Sequence, residues 1–200
     1  MSITALARVK TRASITSTDF DVMLTQIIDG LTALFEQYTR RVLVREVGRV
    51  ELHDGGTSVL ARPLKALPVE SVTEIKEDSN PVDFDAAIAL VDGKDFIVAP
   101  DSGVVRRIPD GAGWLKGYRN VRVTYTGGYV AAGATPQVDQ AAMPEDLQEA
   151  ATAQAVHLWK YRDQLGVASI SADGASLGLP PADLLPMVRK TLDRYRRYPL

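Results

Sequence analysis

The spacing of apolar residues predicts helices at the start of the chain. Between about residues 18 and 41, apolar side chains recur every three or four positions, which is typical of an amphipathic helix with one buried face. Gly30 interrupts this stripe and indicates close packing or a local bend. A shorter helix is predicted over residues 2–11. The apolar positions of the long helix are Phe20, Leu24, Ile27, Ile28, Leu31, Leu34, Phe35 and Tyr38.

From residue 42 onward, apolar and charged residues alternate, so the pattern changes to that of β-strands. Turn-forming sequences separate the alternating segments, and about six or seven short strands are enough for a small antiparallel sandwich or barrel. The first segment places Val42, Val44, Val47, Val50 and Leu52 among charged residues. Further strands are predicted at residues 57–60, 69–75, 95–98, 104–108 and 121–125.

The pattern returns to helices after the paired glycines Gly127-Gly128. Pro144 begins the next helix, because proline suits a first helical position and the carboxylates that follow it favour the helix dipole. Residues 167–178 are small, polar and glycine-containing, which favours a loop. A last helix is predicted from about residue 182 to residue 198.

The predicted fold class is therefore α+β. Two N-terminal and two C-terminal helices form a helical bundle over residues 1–42 and 128–200. A small antiparallel β-sandwich or barrel is inserted over residues 43–127, and the whole is one compact chain.

Composition is that of an ordinary globular protein, with 46% hydrophobic and 24% charged residues. A formal net charge of −2 gives no general argument for binding to nucleic acid or membranes. The absence of cysteine excludes disulfides, thiol catalysis and thiolate metal sites. Without a signal-peptide pattern or an apolar run near the ~20 residues of a membrane span, a protein made in a cytoplasm is expected.

Charge is distributed unevenly along the chain. Residues 70–101 contain nine carboxylates and two lysines, and the last helix is rich in arginine. Each cluster has two interpretations: a solvated surface, or a surface that contacts a partner of opposite charge. For the acidic segment, a surface that repels DNA is a further interpretation.

No catalytic set is recognisable. His53 lies in a predicted turn beside Asp54, and His157 lies on a predicted helix, and neither has the neighbours of a catalytic base. Gly127-Gly128 is not followed by the residues of a phosphate-binding loop. We therefore predict a protein that is not an enzyme, with no catalytic residue, no cofactor and no metal ligand.

Several segments carry a resemblance to a known family. The strand end Val123–Tyr129 (VTYTGGY) precedes the helix start Met143–Ala150 (MPEDLQEA), and Arg162–Gly166 and Leu192–Arg197 follow in order. With the order of the elements, these segments resemble the head–tail connector, or adaptor, proteins of tailed bacteriophages and related prophages. The resemblance covers nearly the whole chain, although no single motif is specific. The long β region is a departure, because the smallest family members are mostly helical.

The resemblance implies a structural protein of the virion neck, assembled in the host cytoplasm. Family members form a ring, commonly of twelve subunits, under the portal vertex, where the ring extends the DNA channel. The implied partners are other copies of the chain, the portal protein and a stopper or tail-completion protein. Genomic DNA would pass through without sequence-specific binding, and no membrane would be involved.

The resemblance also implies where the partners bind. The last helix of such proteins typically reaches the portal, and the acidic segment would lie on a tail-facing rim or on the channel wall, where negative charge lets DNA slide. The predicted portal contacts are Arg189, Lys190, Arg194, Arg196, Arg197 and Tyr198. The predicted acidic surface consists of Glu70, Glu74, Glu77, Asp78, Asp83 and Asp85.

Two other functions remain open at this point. The chain could be a different structural component of a virion or tail, such as a completion protein. It could also be a regulator that binds DNA or RNA through its basic last helix, although the overall acidity and the lack of a recognisable helix-turn-helix argue against this.

Overall fold

The computed structural model describes residues 2–57, 59–60, 62–79, 84–85, 87–108, 113–162, 169–172, 175–178 and 183–197. These residues form four helices and antiparallel sheets, so the predicted α+β class is confirmed. The helices are α1 (Leu6–Ala13), α2 (Asp21–Thr39), α3 (Glu145–Lys160) and α4 (Pro186–Tyr195). The strands are β1 (Glu46–Gly55), β2 (Val69–Glu77), β3 (Ala89–Leu90), β4 (Phe96–Ala99), β5 (Val104–Arg107), β6 (Gly117–Gly127), β7 (Ser169–Ala172) and β8 (Ala175–Gly178).

The contacts group the chain into a helical unit and a β unit. The helical unit comprises Met1–Thr39, Ala131–Gly133 and Met143–Arg197. The β unit comprises Arg40–Val130 and Ala134–Ala142. Each unit has its own buried apolar residues, and each is described separately below.

In the helical unit, α3 contacts the other three helices. Its buried face carries Ala150, Ala151 and Ala155, and these small side chains let neighbouring helices approach closely. Thr152 on the same face lies 2.8 Å from the hydroxyl of Thr4, and both side chains are fully buried. The helix predicted to begin at Pro144 begins at Glu145 and is the centre of this unit.

The apolar stripe of α2 is narrower than its periodicity suggests. Leu24, Ile28 and Phe35 are buried, whereas Leu34 is 41% exposed and Phe20, just before α2, is 39% exposed. A side chain at Gly30 would meet nothing within 4 Å. Close packing within the chain therefore does not explain this glycine.

The segment predicted as a loop over residues 167–178 contains a hairpin, so that prediction is wrong for its described part. Strands β7 and β8 pair antiparallel, with Ile170 opposite Leu177 and Ser171 opposite Ser176. The short run of small residues carries too little alternation to signal a strand.

The β unit contains a four-stranded antiparallel sheet in the order β1-β6-β2-β3 and a separate hairpin, β4–β5. Strand β6 contributes Val121, Val123 and Tyr125 to a core that also contains Phe96 from β4 and Val105 from β5. The hairpin and the sheet thus share one core, as in a small sandwich. Among the described residues of the strand predicted at 57–60, Val59 forms one bridge, with Arg106.

Two polar residues of strand β1, Glu51 and His53, face inward. Glu51 and His53 are 9% and 7% exposed, whereas Val50 is 55% exposed. Glu51 is opposite Val123 and His53 is opposite Val121 on β6, so these polar residues share the face of buried valines. A buried polar face requires hydrogen-bond partners, which are described below.

Gly127 and Gly128 lie where the backbone of β6 passes close to other chain segments. A Cβ at Gly127 would lie 2.5 Å from the carbonyl oxygen of Ala66. Gly128 has a φ of +97°, and a Cβ there would lie 2.8 Å from the carbonyl oxygen of Val44. Both glycines are therefore required by backbone geometry.

Candidate functional site

The arginines of the last helix are held by carboxylates of the helical unit. Arg189 contacts Asp183 at 2.7 Å, and Arg194 contacts Asp146 at 3.3 Å. These pairs are exposed, and exposed pairs contribute little to stability. They do reduce the positive charge that α4 presents to a partner.

The end of α4 is joined to α2 by a second set of contacts. The guanidinium of Arg196 lies 5.4 Å from the ring centre of Tyr38, and the hydroxyl of Tyr38 donates to Asp193 at 2.7 Å. The hydrogen bond to Asp193 raises the pKa of Tyr38. The backbone N–H of Arg197 donates to the carbonyl of Thr39 at 2.9 Å. These contacts fix the direction in which α4 ends.

Lys190 differs from these arginines. It is exposed on α4, and no side-chain partner for it exists among the residues that the structure describes. Tyr198, which was predicted to belong to the same surface, lies outside the described residues.

The acidic residues of β2 face arginines from other parts of the β unit. Glu70 accepts two hydrogen bonds from Arg45, at 2.5 and 2.8 Å, and these bonds lower the pKa of Glu70. Glu74 contacts Arg122 of β6 at 3.4 Å. Glu77 contacts Arg107 of β5 at 3.1 Å. The acidic segment of the sequence is therefore partly neutralised by arginines of the same unit.

The other members of the predicted acidic surface differ in exposure. Asp85 is exposed, and Asp78 is partly buried, with its backbone N–H bonded to the carbonyl of Asn120 at 3.0 Å. Asp83 lies outside the described residues.

A buried polar cluster around Glu51 was not predicted from the sequence. Oε1 of Glu51 accepts hydrogen bonds from the hydroxyl of Tyr125 at 2.6 Å and from Nε of Arg49 at 2.7 Å. The backbone N–H of Lys65 donates to the same oxygen at 3.2 Å. Nε2 of His53 lies 3.5 Å from Oε2.

The environment of Glu51 stabilises its ionised form. Burial alone would raise the pKa of Glu51, but the contacts with His53, Tyr125 and Arg49 outweigh burial and lower the pKa to about 2. Burial and the hydrogen bond to Glu51 raise the pKa of Tyr125. Tyr125 is fully buried, so a substrate cannot reach its hydroxyl. The cluster fits a structural role.

A surface cavity lies beside this cluster, where β1 ends and β6 begins. Its volume is about 320 Å³. Its walls are formed by Leu52, His53, Asp54, Arg62, Tyr118 and Arg119. The sequence signalled only the turn at His53-Asp54, because Arg62 and Arg119 are distant in the chain and only the fold brings them together.

The described residues contain neither a membrane-spanning helix nor a cluster of metal ligands. None of the described helices is long and apolar enough to cross a membrane. In the same residues, no group of three or more histidine or acidic side chains is placed to hold a metal ion.

The chain shares its fold with chains of gene transfer agent particles. One is from the neck of an empty gene transfer agent particle, computed with C6 symmetry. The two chains are 18% identical, with a TM-score of 0.54, and the match covers 99% of this chain and 95% of that chain. Another is from the virion of a native gene transfer agent particle, with a TM-score of 0.56, 17% identity and the same coverage. No family model matches the chain, and no curated protein matches it.

Proposed function

We propose that this chain is a structural subunit of the neck of a tailed phage or a related particle, acting as a head–tail connector. The observation that carries the proposal is a fold likeness to a gene transfer agent neck chain over 99% of this chain. A match of that extent includes both the helices and the β region, so it does not rest on one common motif. The proposed role is structural and involves no catalysis.

In this proposal, copies of the chain form a ring under the portal, extend the DNA channel and dock a stopper or tail-completion protein. The likeness to a chain of a symmetric neck assembly supports a ring. Residues 1–42 and 128–200 would form the helical scaffold of each subunit, and residues 43–127 would form the inserted β region. Genomic DNA would pass through the ring without sequence-specific contacts.

The outer face of α4 is the proposed contact with the portal. Lys190 is its exposed lysine, and Arg189 and Arg194 keep defined positions through Asp183 and Asp146. Fixed side chains lose less entropy on binding than free ones, which suits a docking surface. The complete proposed set is Arg189, Lys190, Arg194, Arg196, Arg197 and Tyr198.

The acidic surface is proposed to line the rim or the channel. Its ion pairs with Arg45, Arg107 and Arg122 leave it less negative than the sequence alone suggests. The surface would therefore repel DNA weakly, which still permits sliding.

The test uses portal-bearing heads that lack neck proteins. Purified chain is added, and the particles are imaged by cryo-electron microscopy. We expect a ring of new density directly beneath the portal. Failure of the purified chain to bind such heads, together with its absence from the necks of complete particles, would overturn the proposal.

A pair of matched variants tests the α4 contact. Lys190→Glu should weaken loading onto the heads without changing the thermal unfolding midpoint, because Lys190 is exposed. Lys160→Glu is the control, since Lys160 is also an exposed lysine, at the end of α3. Equal loading by both variants would show that Lys190 does not contact the portal. It would not contradict the proposed neck location.

The likeness to a chain from a native gene transfer agent virion also supports a second candidate, another completion protein of the virion or tail. The same images distinguish the two candidates. A connector lies directly beneath the portal, whereas a completion protein lies elsewhere along the neck or tail.

A further inference from the structure

The cavity between the end of β1 and the start of β6 has no role in the surfaces discussed above. We propose that it binds a phosphate group, presented either by free phosphate or by a nucleic-acid backbone, with Arg62 and Arg119 as the binding side chains. This inference stands on the geometry of the β unit and does not depend on the connector role.

The two arginines of the cavity differ from their neighbours. Four arginines elsewhere in the β unit each contact a carboxylate, at distances between 2.5 and 3.4 Å. These are Arg45, Arg49, Arg107 and Arg122. Arg62 and Arg119 are exposed, and within the described ranges their guanidinium groups have no hydrogen-bond or ion-pair partner. Two guanidinium groups on one cavity thus remain available for an anion.

Asp54 lines the same cavity but is engaged elsewhere. Its Oδ1 accepts a hydrogen bond from the backbone N–H of Arg119 at 2.7 Å. Arg119 has a φ of +51°, a conformation that side chains other than glycine adopt at a cost. Asp54 therefore holds the backbone of Arg119 in a costly conformation. The guanidinium of Arg119 remains unpaired.

The chemistry of the walls favours phosphate. A guanidinium group donates two parallel hydrogen bonds to phosphate oxygens, and two such groups outweigh the single carboxylate of Asp54. Tyr118 is 74% exposed and can add a hydroxyl donor. The volume of about 320 Å³ lies at the lower end of the roughly 300–1,000 Å³ of small-ligand sites. That space accommodates a phosphate group with part of the molecule that carries it.

The first experiment measures binding of inorganic phosphate at low ionic strength by NMR. We expect saturable shifts of the His53 ring and of the Arg119 amide. Arg62→Gln and Arg119→Gln should each weaken binding by about tenfold, since each removes a charged hydrogen-bonding group. Asp54→Asn should tighten binding several-fold, because it removes the negative charge and keeps an acceptor for the N–H of Arg119.

Arg40→Gln is the matched control, because Arg40 is exposed in the same unit and has no side-chain partner in the part of the chain that is described. It should leave phosphate binding unchanged. Thermal unfolding of each variant checks that it is folded. If a glutamine variant is unfolded, Asp54→Asn provides the test: tighter phosphate binding supports the site, and unchanged binding contradicts it.

A second arm uses a short DNA duplex and measures its fluorescence anisotropy. If the duplex binds and the same two arginine variants weaken it, the phosphate is that of a nucleic-acid backbone. If only inorganic phosphate binds, the site is one for a free phosphate ion. The absence of any saturable shift, or shifts that the Arg62 and Arg119 variants leave unchanged, overturns the proposal.

Discussion

Among single residues, the buried carboxylate of Glu51 has the most consequences for the β unit. A carboxylate removed from water destabilises the fold unless donors surround it. Tyr125, Arg49 and the backbone of Lys65 supply those donors. The hydroxyl of Tyr125 also accepts the N–H of Ala66 at 2.9 Å, so the cluster ties residues 65–66 to β1 and β6. We infer that Glu51 stabilises the core by anchoring this segment.

Glu51→Gln tests this role. The amide keeps the size of the side chain, but it loses the charge and places an N–H2 donor group among donors that need an acceptor. The free energy of unfolding should fall by about 1–3 kcal/mol, measured by urea unfolding followed through tryptophan fluorescence. Glu46→Gln is the control, because Glu46 also pairs with Arg49 but its side chain is 48% exposed. Glu46→Gln should lower the free energy of unfolding by less than about 1 kcal/mol. An equal decrease in both variants would contradict the role of Glu51.

Acid should remove the contribution of Glu51 in a defined interval. The pKa of Glu51 is about 2 in the folded protein, below the ordinary glutamate value of roughly 4.3 that applies after unfolding. A lowered pKa in the folded state means that the stabilisation is complete above about pH 4.3 and is lost as pH falls towards about 2.

The measurement compares the free energy of unfolding of the wild type with that of Glu51→Gln across this interval. Other carboxylates titrate in both proteins, so only the difference between them reports on Glu51. We expect the difference to shrink steadily as pH falls. A difference that stays constant with pH would show that the stabilisation does not come from the ionised carboxylate.

At the scale of elements, replacing a glycine with alanine should have opposite effects on stability at two positions. Gly128→Ala should destabilise the protein by about 2 kcal/mol or more, because φ is positive and the Cβ would press on the backbone of Val44 and Arg45. Gly30→Ala should stabilise it by up to about 1 kcal/mol, since the added methyl lies in open space on α2. Thermal and urea unfolding measure both changes. Two changes of the same sign would contradict this account of the glycines.

The helices could be predicted because each buries one face. The spacing of Leu24, Ile28, Leu31 and Phe35 marks α2, and Val188 and Leu192 mark α4. A one-sided burial pattern is a local property of the sequence, so it can be read without the rest of the fold. The strands at residues 69–75, 95–98, 104–108 and 121–125 were predicted from local sequence patterns as well. They correspond to β2, β4, β5 and β6.

Features that depend on distant residues could not be predicted. Glu51 faces inward because Tyr125, which is 74 positions away, binds it. The acidic residues of β2 are neutralised by arginines on β5 and β6, and the cavity joins Arg62 to Arg119. Each of these arrangements depends on how distant segments of the chain pack together, which alternation in one segment does not determine.

For the whole molecule, the distribution of charge around α4 determines how strongly salt should affect assembly. The last helix and the residues after it carry five cations, but three carboxylates of the same unit lie among them. The carboxylates are Asp146, Asp183 and Asp193. A partner therefore meets a surface of modest positive charge, on which Lys190 is exposed and has no side-chain partner among the described residues.

If α4 binds the portal as proposed, the affinity for portal-bearing heads should depend only weakly on salt. Between low and physiological ionic strength we expect a loss of about tenfold or less, because internally paired charges gain little from a partner and lose little to screening. Sedimentation of heads with labelled chain at several salt concentrations measures this. Asp183→Asn releases Arg189 from its pair, so it should steepen the salt dependence, whereas Asp29→Asn, on the exposed side of α2, should not. A fall of several orders of magnitude in the wild type would mean that the arginines act as free charges and that their pairs open on binding.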